Sequence, residues 1–230
     1  MSVVTTSSMS PEVEEGDSPE RRRTRLVAVG ILGAGVLLVI VGLLVARSGS
    51  RAEPDWAGTV LGDPAVLPDV TLTDTDGRPY NLRADSAGTT TILMFGYTSC
   101  PDVCPINLAS LDAALDQLGP NRSSSVRVVF VTVDPDRDTP EVVRSYLDRF
   151  DVDFVGLRGE PAELRAAQEG VGVERAVAGA PGDPSGEVGH ASAMFVFGPD
   201  GEAHIAYSFG TRQADWTRDL PKLLDGEVPV

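Results

Sequence analysis

Residues 90–105 read TTILMFGYTSCPDVCP and include both cysteines of the chain, Cys100 and Cys104. The segment from Ile92 to Phe95 is an unbroken apolar run, which is typical of a β-strand buried on both faces. The run ends at Gly96, and the turn that follows carries the two thiols. The sequence therefore predicts a reactive cysteine pair at the carboxyl end of a core strand.

A helix is expected directly after this turn. Pro105 suits the first position of a helix and disfavours helical dihedrals at the preceding residue, so we expect a helix from Pro105 to about Leu118 with Cys104 at its cap. The positive end of the helix dipole should then lower the thiol pKa values and favour thiolates. A thiolate is both the nucleophile of disulfide exchange and a ligand for soft metals, and the spacing of Cys100 and Cys104 permits either role.

Composition limits the other possibilities. The chain has 230 residues, a formal net charge of −15, two cysteines and two histidines. This length suits one ordinary domain with appendages, and the acidity argues against nucleic acid as a partner. Two cysteines exclude a disulfide-dense scaffold, and a structural zinc site with four protein ligands is not expected.

The N-terminal part predicts a membrane anchor. Residues 1–25 read as a disordered cytoplasmic tail, and Leu26 to Ala46 are 21 consecutive residues without a charge, enough for one transmembrane helix. Four arginines precede this segment and Arg47 and Arg51 follow it, which places the N-terminus in the cytoplasm and the rest of the chain outside. A cleaved signal peptide is the alternative, but its apolar region is normally shorter. Residues 47–65 read as a linker.

The domain is predicted to span residues 66–230, with strands and helices alternating as in an α/β fold. It begins with a hairpin of two short strands, 70–73 and 79–82, around an Asp-Gly turn. The strand at Ile92, the helix from Pro105 and a strand at 126–133 then form a parallel crossover unit. The further predicted elements are helices at 140–150, 161–169 and 213–224, with a kink or break at Pro221, strands at 154–157, 193–197 and 203–209, and a long loop at 171–189.

Three blocks of this sequence carry a family resemblance. They are FGYTSCPDVCP at 95–105, VTVDPDRDTP at 131–140, and Gly189-His190 ahead of an apolar strand with a GPDG turn. Over about residues 66–224 they look like the three blocks of the Sco/SenC family, whose members are membrane-anchored, thioredoxin-like proteins of cytochrome c oxidase biogenesis. The resemblance implies a thioredoxin-like α/β fold, with a central mixed sheet flanked by helices and an N-terminal β-hairpin extension, behind a single transmembrane helix.

The resemblance also implies a mononuclear copper site formed by Cys100, Cys104 and His190. Thiolates suit Cu(I), and imidazole accommodates Cu(I) or Cu(II), so the chemistry of this ligand set agrees with one copper ion. The implied function is delivery of copper to the binuclear copper centre of cytochrome c oxidase. The implied partner is the copper-bearing subunit of the oxidase, or another copper protein, outside the cell membrane.

Other polar residues near these blocks receive lesser roles. His204, on the strand after the hairpin turn, is interpreted as structural. Asp138 is interpreted as a loop and cap residue, and Asp134 as a residue behind the metal ligands or facing a partner. Asp102 is expected to face water. Ser99 stands where many members of the family have histidine, which removes a further imidazole from the loop and leaves the three-ligand set intact.

Two other functions stay open. A thiol–disulfide oxidoreductase that reduces the copper-ligand cysteines of the oxidase would need only the pair Cys100 and Cys104. A redox or copper sensor that signals through the membrane helix is the third hypothesis. A peroxidase is disfavoured, because the blocks do not match the isolated peroxidatic cysteine of a peroxiredoxin. The sequence thus favours a metallochaperone over an enzyme, with reductase activity as the alternative.

Overall fold

The structure is a computed structural model that describes residues 56–173 and 193–229, together with Leu32, Gly33 and Gly35, which are helical. The chain divides into two units, residues 1–53 and 54–230. The predicted anchor, 26–46, lies outside the described residues apart from the three just named. In the part of the chain that is described, none of the helices combines the length and the apolar character needed to cross a bilayer.

The second unit alternates strands and helices in the predicted manner. The described elements, in chain order, are β1 (Thr59–Val66), β2 (Thr71–Asp74), β3 (Pro79–Asn81), β4 (Thr90–Gly96), α1 (Val103–Leu118), α2 (Pro120–Ser123), β5 (Val126–Thr132), α3 (Pro140–Leu147), β6 (Val155–Arg158), α4 (Pro161–Gly170), β7 (Met194–Phe197), β8 (Glu202–Tyr207) and α5 (Gln213–Leu224).

The described strands form one mixed sheet in the order β1-β8-β7-β4-β5-β6-β2-β3. Strands β4, β5 and β6 are parallel to one another, whereas β4 pairs with β7, and β7 with β8, in the antiparallel sense. The carboxyl ends of β4, β5, β6 and β8 therefore lie along the same side of the sheet, called the thiol edge below. The thiol turn follows β4 at this edge, which confirms the predicted position of the cysteines.

Strand β4 is the centre of the core. All seven of its residues are buried, as the apolar run predicts for a strand covered on both faces. Its register with β5 pairs Thr90 with Val126 and Gly96 with Thr132, and α1 connects the two strands. The predicted parallel crossover unit is confirmed.

Of the predictions for the outer strands, one is confirmed and one is wrong. The predicted hairpin is confirmed as β2 and β3, with Leu72 paired to Tyr80. Residues 59–65, taken as linker, instead form most of β1, which pairs with β8 at the sheet edge. Strand β1 is largely exposed and contains Gly62 and Pro64, so it lacks the apolar alternation that identifies a half-buried strand.

Two helices differ from their predicted form. Helix α1 begins at Val103 rather than Pro105, because the Asp102 carboxylate caps it by accepting a hydrogen bond from the Val103 N–H. Proline is tolerated at Pro105, since the first N–H groups of a helix have no partner within it. Helix α5 continues through Pro221 to Leu224, so of the predicted kink or break at Pro221 the break does not occur.

Helix α5 closes the core on the side of β8. The ring of Trp216 packs on the ring of Tyr207 with their centroids 4.1 Å apart, and both side chains are fully buried. The hydroxyl of Tyr207 donates a hydrogen bond to the buried carboxylate of Asp219 at 3.0 Å. The same carboxylate accepts a hydrogen bond from the N–H of Ala57 at 2.7 Å, which connects the segment before β1 to helix α5.

Candidate metal centre

The two cysteines lie next to each other at the amino end of α1. Cys100 follows a turn in which its N–H donates to the carbonyl of Tyr97, and Cys104 occupies the first turn of the helix. The N–H of Cys104 donates to the sulfur of Cys100 at 3.4 Å. Neither thiol forms a disulfide bond, and the exposed fractions of the two residues are 6% for Cys100 and 0% for Cys104. The loop therefore brings the two cysteines together, and of the two only Cys100 has any exposed surface.

Burial reverses the expected electrostatics of one thiol. Enclosure in the core raises the pKa of the Cys104 thiol, and the nearby sulfur of Cys100 and carboxylate of Asp138 contribute in the same direction. The prediction that the helix terminus lowers the thiol pKa is thus wrong for Cys104, because loss of solvent raises this pKa more than the hydrogen bond with the Tyr97 backbone lowers it. Binding a cation there would have to displace the proton of this thiol.

A buried carboxylate anchors the thiol loop to the sheet. Asp138, 1% exposed, accepts a hydrogen bond from the N–H of Thr98 at 3.0 Å and another from the Thr98 hydroxyl. It also accepts from the hydroxyl of Thr132, the last residue of β5. These hydrogen bonds connect the residues that follow β4 to the end of β5. The cap role of the loop belongs to Thr139, whose hydroxyl accepts from the N–H of Val142.

Asp134 shares this polar network from the other side. Its N–H donates to the hydroxyl of Thr132 at 3.1 Å, and its carboxylate forms an ion pair with Arg137. The Asp134 side chain is 6% exposed and that of Arg137 is 48% exposed. Asp134 thus begins the turn that carries Asp138, whose N–H donates to the Asp134 carbonyl at 3.0 Å, and its charge is partly compensated by a cation at the surface.

Tyr146 of α3 brings a further polar group into this region. Its ring packs against Phe130 with their centroids 5.7 Å apart, and Phe130 occupies the space that a Cβ atom on Gly96 would need. The Tyr146 hydroxyl is buried and has no hydrogen-bond partner among the described residues. Burial raises the pKa of this phenol, and the charges of Cys104 and Cys100 raise it further.

Of the two histidines, only His204 lies within the described residues. His190 lies outside the described residues, as do all of residues 174–192. His204 lies on β8 with its Nε2 atom 3.7 Å from a carboxylate oxygen of Glu202, away from the thiol edge, in agreement with its structural interpretation. Within residues 56–173 and 193–229, no three His, Cys, Asp or Glu side chains are grouped so that they could hold a metal ion.

Sequence reasoning placed the cysteines correctly and missed the residues that position them. Asp102 is exposed, as expected, and it also caps α1. Asp138 was expected in a loop, but its hydrogen bonds to Thr98 were not foreseen. Thr98 and Thr132 carried a usable signal, because each is a polar residue at the carboxyl end of one of two adjacent parallel strands. Tyr146 gave no such signal, since its spacing on α3 is that of an ordinary core residue.

The family model described as SCO1/SenC matches residues 60–225 of the chain. An SCO2-like protein of Rickettsia felis is 32% identical over 173 residues, which cover 75% of this chain and 82% of that protein. The mitochondrial protein SCO2 homolog of Homo sapiens is 32% identical over 181 residues, covering 78% and 67% of the two chains.

Solved structures give the same relationship. The structure of Bradyrhizobium japonicum ScoI with copper bound superimposes with a TM-score of 0.60 at 30% identity, over 70% of this chain and 98% of that chain. The mixed sheet, its helices and this similarity together confirm the predicted thioredoxin-like fold of the domain.

Proposed function

Since the chain belongs to the SCO1/SenC family, we propose that it is a membrane-anchored copper-binding protein that delivers copper to the binuclear copper centre of cytochrome c oxidase during assembly of the enzyme. The observation that carries the proposal is that Cys100 and Cys104, which are not joined in a disulfide, lie next to each other beyond the carboxyl end of β4. Copper-bound relatives of similar fold support copper as the cargo.

The residues present fit a copper ion. Two thiolates are soft ligands that suit Cu(I), and the enclosure of both sulfurs protects them from solvent. The absence of a third ligand in the described part of the chain agrees with a site completed by another segment. We propose that His190 supplies this ligand, because imidazole accommodates both Cu(I) and Cu(II) and so permits either ion as cargo.

The remaining parts of the proposal concern location and partner. A helix at 26–46 would hold the protein in the cell membrane, with the domain outside and the N-terminus in the cytoplasm. The partner would be the copper-bearing subunit of the oxidase, or another copper protein. Cys100 would meet it first, because Cys104 has no exposed surface.

A thiol–disulfide oxidoreductase is the second candidate. It is supported by the two neighbouring cysteines, which are not joined in a disulfide and in which the Cys104 N–H donates to the Cys100 sulfur at 3.4 Å. In such a reaction the thiolate of one cysteine attacks a disulfide of the partner, and the second cysteine resolves the mixed disulfide as the partner leaves reduced. No ligand beyond the pair is needed.

The deciding experiment measures copper per chain in the purified, reduced protein and in Cys100→Ala, Cys104→Ala and His190→Ala. We expect one copper per wild-type chain and a sharp loss of affinity in each variant. His204→Ala is the matched control and should bind as the wild type does. Full affinity in His190→Ala would remove that residue from the site. A wild-type protein that retains no copper but reduces a model disulfide would favour the oxidoreductase.

A further inference from the structure

The Asp138 carboxylate is hydrogen-bonded to the loop that carries the two thiols. It is 1% exposed, and its two oxygens accept hydrogen bonds from the N–H and hydroxyl of Thr98 and from the hydroxyl of Thr132. Each of these donors is neutral, and among the described residues no basic side chain forms an ion pair with this carboxylate. Burial of a charged carboxylate costs desolvation free energy, so we expect a function of Asp138 that offsets this cost.

The first consequence of this arrangement is positional. Thr98 lies two residues before Cys100, in the turn where the sulfur of Cys100 meets the N–H of Cys104. Asp138 binds both the backbone N–H and the hydroxyl of Thr98. These two hydrogen bonds tie the turn to the end of β5 and restrict its conformation. The side chain therefore controls where the Cys100 sulfur lies.

The second consequence is electrostatic. Cu(II) carries one positive charge more than Cu(I), so a nearby negative charge stabilises Cu(II) more than Cu(I). A charge enclosed in the protein is screened far less by solvent and salt than an exposed charge at the same distance. The Asp138 carboxylate is enclosed, whereas that of Asp102, between the two cysteines, is exposed.

We propose that Asp138 is a positioning residue of the copper site: it fixes the loop that carries Cys100, and its buried charge makes the site favour Cu(II) over Cu(I). This inference rests on the proposed function, because it concerns the same copper ion. It assigns to Asp138 a regulation of the cargo's oxidation state, in addition to its place in the loop after β5.

Two substitutions separate the two effects. Asp138→Asn removes the charge and keeps the shape, and the hydroxyls of Thr98 and Thr132 can pair with an amide because each can donate or accept. Thr98→Val keeps the charge and removes one hydrogen bond to Asp138. Asp102→Asn is the matched control for the charge, since asparagine caps a helix as well as aspartate does.

The test is the midpoint potential of the one-electron Cu(II)/Cu(I) couple, measured on the copper-loaded, purified protein by spectroelectrochemistry. In Asp138→Asn we expect the ratio of Cu(II) to Cu(I) affinity to fall on the order of tenfold, which raises the midpoint by about 59 mV. In Asp102→Asn the shift should be smaller and should shrink as salt is added. In Thr98→Val both affinities should fall severalfold with little change in the midpoint.

Measurements on the copper-free protein complete the test. Amide hydrogen exchange at Thr98 should accelerate in Asp138→Ala and remain slow in Asp138→Asn, while circular dichroism verifies that each variant is folded. A midpoint in Asp138→Asn equal to that of the wild type would overturn the electrostatic part. Unchanged copper affinity in Thr98→Val would overturn the positional part, even if Asp138→Asn failed to fold. A wild-type protein that binds no copper would instead overturn the proposed function and this inference with it.

Discussion

Gly96 and Cys104 lie against each other at the end of β4. A Cβ atom placed on Gly96 would stand 2.8 Å from the sulfur of Cys104 and 2.7 Å from Cε2 of Phe130. Neither distance is compatible with normal van der Waals contact, so a side chain at Gly96 would have to move the thiol or the ring. The absence of a side chain at this one residue therefore sets the position of the buried sulfur.

The first prediction is that Gly96→Ala destabilises the fold and disturbs the thiol pair. Overpacking in a closed core costs about 1–3 kcal/mol, so we expect the free energy of unfolding to fall by about that amount. Copper affinity should fall as well, because the Cys104 sulfur is displaced. Urea denaturation and competition with a copper chelator measure the two effects.

Gly62→Ala is the matched control, because a Cβ atom on Gly62 would have nothing within 4 Å. Its free energy of unfolding should stay within about 0.5 kcal/mol of the wild-type value. Equal stability of the two variants would show that the space around Gly96 can expand at no cost.

The second prediction concerns two buried tyrosines with different hydroxyl environments. Tyr146→Phe removes a hydroxyl without a described partner, so the variant should be as stable as the wild type, or more stable by about 1–3 kcal/mol. Tyr207→Phe removes the donor to Asp219 and should be less stable by about 1–3 kcal/mol. Thermal and urea unfolding compare them. A clear loss of stability in Tyr146→Phe would mean that its hydroxyl is bonded to residues outside those described.

The third prediction is a dependence of stability on alkaline pH through Tyr207. Burial raises the pKa of this phenol above its ordinary value, and the charge of Asp219 and the hydrogen bond to it raise it further. A group whose pKa is raised on folding stabilises the native state fully below its unfolded pKa, about 10 for tyrosine, and this contribution is lost as pH rises above that value.

Urea midpoints at a series of pH values between about 8 and 11 test this linkage. The wild-type midpoint should fall more steeply above about pH 10 than that of Tyr207→Phe, and the difference isolates Tyr207 from every other group that titrates there. Parallel curves would show that Tyr207 ionises as easily in the folded protein as in the unfolded chain.

The fourth prediction concerns the start of the domain. A fragment of residues 54–230 keeps β1 and the hydrogen bond from the Ala57 N–H to Asp219, whereas a fragment of residues 66–230 loses both. At about 1 kcal/mol for each lost hydrogen bond, the shorter fragment should be less stable by roughly 2–4 kcal/mol. It should also associate through the uncovered edge of β8.

Thermal unfolding and size-exclusion chromatography of the two fragments make this comparison. Equal melting temperatures and two monomeric fragments would show that β1 adds nothing to the fold.

Local sequence determined the elements that carry the thiols. An apolar run predicts β4, the turn residues after it predict a loop, and Pro105 with the apolar spacing that follows predicts α1, because each signal acts over a few neighbouring residues. The same holds for the hairpin of β2 and β3. The prediction of a linker was wrong for β1, since an exposed edge strand is stabilised by its partner β8 and leaves little pattern of its own.

What surrounds the sulfurs was decided only by tertiary structure. The bond between Thr98 and Asp138 joins residues 40 positions apart, and it exists because β4 and β5 are parallel neighbours whose ends coincide. The burial that raises the pKa of Cys104 depends on the packing of Gly96 and Phe130 around it. Sequence alone thus determined which residues could react. The packing of distant segments decided how close the two cysteines lie, how deeply they are buried and which charges surround them.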